Sequence, residues 1–110
     1  MKELAEVIQS RPLFAEACRV MRKCFGSRAW ELQDFSFNAP AFGSMHAVYR
    51  CDGKCFRVVW DGRDAAVSVQ IADGHKPSAH HTWNDLAFAK DVPSLSRMEE
   101  RVTNELASKA

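Results

Sequence analysis

The sequence lacks an excess of charge of either sign. Fifteen Lys and Arg stand against 14 Asp and Glu, leaving a formal net charge of +1. That balance excludes strong non-specific attraction to nucleic acid or to an anionic membrane. No apolar run approaches the ~18 residues that a membrane-spanning helix requires. The N-terminus, "MKELAEVIQSRPLF", has early acids and no apolar stretch leading to a small-residue cleavage site, so no secretory leader is read and a cytoplasmic location is expected. Glycine (5) and proline (4) are sparse, with no repeat and no low-complexity linker. One domain spanning residues 1–110 is therefore expected. The sequence contains no GxSxG, Walker A loop, GxGxxG after a strand or HExxH. A non-enzymatic protein with no cofactor and no metal site follows as the expectation.

What is present is periodicity. In "LFAEACRVMRKCF" (13–25), Leu13, Phe14, Ala17, Cys18, Val20, Met21, Cys24 and Phe25 share one side at 100° per residue, with Glu16, Arg19, Arg22 and Lys23 opposite. The spacing predicts an amphipathic helix, ended by Gly26. Pro12 predicts a break at 10–12 after a short helix at 2–9. Within "AWELQDFSF" the apolar phase switches between Leu32 and Phe35, predicting a bulge near Gln33–Asp34. "NAPAFG" (38–43) reads as a loop.

Two of the four cysteines flank an Asp-Gly in "YRCDGKCFRVVW" (49–60). Asp52-Gly53 is a preferred two-residue hairpin turn. It pairs Cys51 with Lys54, Arg50 with Cys55 and Tyr49 with Phe56. One face then carries Met45, Ala47, Tyr49, Cys51, Phe56, Val58 and Trp60; the other carries His46, Val48, Arg50, Cys55, Arg57, Val59 and Asp61. Cys51 and Cys55 point to opposite faces, which excludes a shared metal or an unstrained disulfide. A second turn in "WDGRD" adds Ala65, Val67, Val69 and Ile71 to the apolar face and Ala66, Ser68 and Gln70 to the mixed one. "DGHKP" (73–77) ends that strand. Residues 78–92 fit either a helix capped by Ser78 and carrying Trp83, Leu86 and Phe88, or a loop. Ser96-Arg97-Met98-Glu99 reads as a capping box, opening a helix with the apolar stripe Leu95, Met98, Val102 and Leu106. The expected fold is a two-layer α+β domain: an N-terminal helix, a roughly four-stranded antiparallel meander and a C-terminal helix, with both helices on the apolar face.

Candidate chemistry is thin. Asp73, His75, His80, His81 and Asp85 are metal-ligating types, but their spacing matches no zinc motif and a solvated polar loop is expected. Cys55, beside Arg50 and Arg57, has the neighbours of an activated thiol, although a plain exposed strand residue is the expected reading. The patch "CRVMRKCFGSR" (18–28) has Arg19, Arg22, Lys23 and Arg28 and no acid. A solvated helix face explains it more simply than phosphate binding, and the sheet arginines are expected to lack aromatic stacking platforms, so nucleic acid is not the expected partner. The mixed face is the expected interface, with Val48, Val59 and Ala66 at its apolar centre, flanked by His46, Arg50, Cys55, Arg57, Ser68 and Gln70, and with Phe42 and Trp83 in loops as anchors. The functional expectation is a protein-binding module that masks a partner, in the manner of bacterial toxin-immunity inhibitors. The alternatives are a secretion chaperone or adaptor dimer, and a metal-dependent enzyme built on the histidine loop.

Overall fold

The computed structural model describes residues 12–38, 40, 43–72 and 83–107. The helix expected at 2–9 and the break at 10–11 lie outside that range. Pro12 itself is the first residue of helix α1 (Pro12–Phe25), where its missing N–H costs nothing. Gly26 (φ +58) closes the helix in the left-handed conformation, its N–H 3.3 Å from the Arg22 carbonyl oxygen and 3.2 Å from that of Lys23.

Five antiparallel strands follow: β1 (Trp30–Asn38), β2 (Ser44–Cys51), β3 (Lys54–Asp61), β4 (Ala66–Ala72) and β5 (Trp83–Ala89), with helix α2 (Leu95–Ala107) last. They lie side by side in sequence order, so β1 and β5 are the two edges. The meander therefore has one strand more than the sequence suggests. The segment read as helix or loop is strand over Trp83–Ala89, and a register shift opposite Val69/Gln70 hides its alternation.

The hairpin pairs as expected: Cys51 with Lys54, Arg50 with Cys55, Tyr49 with Phe56, and so on to Met45 with Trp60. Asp52 (φ 53) and Gly53 (φ 74) both take positive φ, the type I′ turn whose twist matches the strands. The bulge in β1 lies between Leu32 and Asp34. The next turn closes on the Asp61–Ala66 pair. Ala65 thus sits in the turn, exposed at φ 51, and does not join the apolar face as the alternation suggested.

The core lies between the helices and one sheet face. It unites Phe14, Ala17, Cys18, Met21 and Phe25 of α1 and Leu95, Met98, Val102 and Leu106 of α2 with Met45, Tyr49, Phe56, Val58, Trp60, Val67 and Val69. Phe25 gathers Trp30, Tyr49 and Phe56 at centroid distances of 5.8, 5.7 and 6.1 Å. At the start of α2, Asp91 Oδ1 accepts from the Ser94 N–H (2.9 Å) and hydroxyl (2.6 Å). The expected capping box does not form. Ser96 lies inside the first turn and donates to the Pro93 carbonyl, while Glu99 reaches across to Lys23 at 3.1 Å.

Candidate functional site: the open face of the sheet

Both described helices take the same side, so among the described residues no helix lies on the opposite side of the sheet. Register builds a row of side chains across all five strands there. Asp34 opposes Val48, Val48 opposes Arg57, Arg57 opposes Gln70 and Gln70 opposes Asp85. The polar members are connected. The Arg57 guanidinium donates through Nε (2.8 Å) and Nη2 (2.5 Å) to Gln70 Oε1, and Gln70 Nε2 donates to Asp85 Oδ1 at 2.9 Å. Trp83 reaches across from β5 and lays its ring over Arg57, with Cζ 4.4 Å from the ring centroid. Such a cation–π contact contributes roughly 0.5–2 kcal/mol. Partial burial lowers the proton affinity of Arg57 and the Asp85 carboxylate opposes that effect; a guanidinium stays charged regardless.

Between this assembly and β1 lies an open depression of about 680 Å³, lined by Glu31, Leu32, Gln33, Asp34, His46, Val48, Arg57 and Trp83. His46 Nε2 stands 3.5 Å from Asp34 Oδ2. The lining mixes two acids with a guanidinium and an imidazole around an apolar floor. Such a surface can hold a partner by hydrogen bonds, charge and stacking.

Of the residues proposed from sequence, His46, Val48, Arg57 and Trp83 come together around the depression. Arg50 and Val59 share the face in neighbouring rows, and Phe42 lies outside the described residues. Trp83 is a strand residue, half-buried, and not a loop anchor. It supplies the stacking platform that Arg57 was expected to lack. Sequence reasoning missed Glu31, Gln33 and Asp34, although the bulge in β1 was the signal for them. Asp85, named there as a metal-ligating type, instead belongs to the row on this face, accepting from Gln70.

The other candidates recede. Cys55 is fully buried rather than exposed, and burial pushes its thiol pKa up, against the pull of Arg50, which is the wrong direction for a nucleophile. All four cysteines are free thiols. The basic stretch 18–28 meets acids from elsewhere in the fold: Arg19 pairs with Glu16, Lys23 with Glu99, and Arg28 with Asp52 at 2.9 Å. Among the described residues no group of three His, Cys, Asp or Glu could hold a metal. Asp73, His75, His80 and His81 lie outside them. No helix among the described residues is long and apolar enough to cross a membrane. The chain matches no protein-family model, no curated protein and no solved structure.

Proposed function

We propose that this chain is a non-enzymatic protein-binding module whose docking surface is the open sheet face, and that it acts as an inhibitor of the toxin-immunity type, masking a partner protein. The observation that carries this reading is the braced Arg57. Gln70, itself held by Asp85, bonds the guanidinium from one side and Trp83 covers it, so an arginine and a tryptophan are presented together with little freedom left to lose on binding. Those two residue types are enriched among the side chains that dominate interface energies, and ordering them beforehand lowers the cost of association. Around it, exposed charged side chains (Glu31, Asp34, Arg50 and Asp85) rim an apolar strip in which Val48 and Cys55 are themselves buried, a polar rim of the kind protein interfaces commonly have.

The test is retention of a partner from the native host, comparing wild type with Arg57→Ala and Trp83→Ala at high salt. A stoichiometric protein held by wild type and weakened about 30-fold in each variant, the equivalent of a ~2 kcal/mol hot spot, supports the reading. Loss of the partner's own activity on binding supports the inhibitor form. A partner held equally by all three proteins sinks the assignment of this face. A secretion chaperone would instead sediment as a dimer, so a monomer across the micromolar range removes that alternative.

A further inference from the structure

We propose that β1 is a strand-addition site for an extended segment of a partner protein, one in which apolar side chains alternate with lysine or arginine. The proposal rests on the protein-binding reading above and names a second element of it. β1 runs nine residues along the sheet edge, and all but Phe35 are exposed. An edge strand presents alternate N–H and C=O groups with no ladder partner. Proteins usually blunt such an edge with lysine, proline or a covering helix. "WELQDFSFN" has no lysine, arginine or proline. Its protective features are the bulge after Leu32 and the exposed acids Glu31 and Asp34, which repel another acidic strand but not a basic one.

The opposite edge differs. There α2 packs on β5, whereas the helical layer reaches β1 through Phe14 against Phe35 (6.3 Å) and Phe25 against Trp30 (5.8 Å). Trp30, Leu32 and Phe37 consequently remain 40, 42 and 43% exposed on the helix side of the edge. On its other side β1 carries Glu31 and Asp34, both exposed. Glu31 accepts a hydrogen bond from Gln33 at 3.2 Å. Arg50 opposes it in register, yet the two form no ion pair among the described residues. Asp34 has His46 at 3.5 Å.

An added strand sends successive side chains to opposite faces of the sheet. Its apolar positions would extend the Trp30–Leu32–Phe37 row, and its alternate positions would stand beside Glu31 and Asp34. Opposite charge there stabilises cross-strand pairing and like charge opposes it. This selects a basic partner over a second copy of the chain, because two β1 strands side by side would bring acids against acids.

The test uses an end-blocked nine-residue peptide alternating valine and lysine, with a valine–glutamate counterpart and a lysine version interrupted by proline. Binding is mapped by amide hydrogen exchange and titrated by NMR. The expected result is one-to-one binding of the lysine peptide with new protection of outward β1 amides, the glutamate peptide at least about tenfold weaker, and loss with the proline version. The double variant E31K/D34K, whose changed side chains are both exposed, sets lysines against Arg50 and beside His46; it should stay folded with a slightly lowered melting temperature and reverse the preference. Binding indifferent to peptide charge, absence of binding, or protection centred on Trp83 would each overturn the proposal. So would protection of β1 that appears on raising protein concentration alone, which would identify a second copy as the occupant. A natural partner lost on Arg57→Ala, alongside a peptide that ignores β1, would leave the open-face reading standing and remove only this one.

Discussion

Trp60 is the sharpest test of which sheet face is covered. It is the penultimate residue of β3, between Met45 of β2 and Val67 of β4, and is 9% exposed within the core. Truncating a buried tryptophan to alanine costs about 3–5 kcal/mol through lost contacts and the cavity left behind. One feature moves the expectation towards the lower end. The indole N–H is buried with no hydrogen-bond partner among the described residues, and an unpaired buried donor costs about 1–3 kcal/mol that its removal returns. Trp60→Ala is therefore expected to lose about 3 kcal/mol. Trp60→Phe, which keeps most of the ring and deletes the orphan donor, should fall within about 1 kcal/mol of wild type. Urea unfolding followed by far-UV circular dichroism reads both. At a slope near 1.5 kcal/mol per molar, typical of a small protein, the alanine variant's midpoint falls by about 2 M. If that variant is too unstable to purify, Trp60→Leu preserves the ordering at smaller amplitude. An alanine variant within 0.5 kcal/mol of wild type would mean that this face is not the core (~0.5 kcal/mol is the usual range of surface substitutions). The opposite face could then not be the docking surface.

The core also predicts an alkaline limit. Burial pushes the Cys18 thiol from its ordinary 9.0 to about 11, with the hydrogen bond to Tyr49 and the charge of Arg22 opposing; burial and the neighbouring Cys18 likewise push the Tyr49 phenol up. Both groups hold their protons more tightly folded than unfolded; the Cys18 contribution is complete below about pH 9 and is lost as pH rises through about 11, while that of Tyr49 begins to be lost only at higher pH. The Cys18 share is on the order of 3 kcal/mol. Urea midpoints from pH 7.5 to 11 should fall across that window and fall less in Cys18→Ala; a flat wild-type profile would refute the placement. In the hairpin turn, Gly53 has φ +74 with nothing within 4 Å of where a Cβ would stand. Gly53→Ala should then cost about 1–2 kcal/mol of pure backbone strain, and Gly53→Asn less, because asparagine tolerates that conformation. Equal stability of all three by thermal denaturation would count against a type I′ turn.

The legible parts of this fold are those where local chemistry and burial agree. Helix α1 shows its apolar side without a break, Asp52-Gly53 sets the hairpin register, and the phase switch after Leu32 announces the bulge. Strand β5 was illegible because two signals failed together. Its inner positions include small residues, Ala87 and Ala89, and the register shift at Val69/Gln70 leaves Leu86 unpaired and turns both Leu86 and Ala87 towards the core, breaking the alternation. Trp83 then looks like a stranded hydrophobe, although it lies on the open face over Arg57. In the basic stretch 18–28, the partners that neutralise part of it, Glu99 and Asp52, are remote in sequence, so only the fold shows the pairing. The capping box failed because Asp91 and Ser94 already organise the start of α2, leaving Glu99 free to reach Lys23.

The exposure of β1 follows from the dimensions of the parts. Strands lie about 4.8 Å apart and a helix with its side chains is about 10 Å across, so two helices side by side cover roughly four strands. This sheet has five. The short connection from Ala89 to Leu95 holds α2 on β5, and α1 takes the adjacent place over β3 and β4. The strand left beyond the helical layer is β1. A strand in that position needs no large apolar residues for the fold itself, and polar substitutes would protect its edge from association. Trp30 does pack on Phe25 and Tyr49, but Leu32 and Phe37 remain more than 40% exposed. Packing among the described residues does not account for Leu32 and Phe37. A docked strand does, and it would lie at the margin of the depression that β1 shares with Arg57 and Trp83.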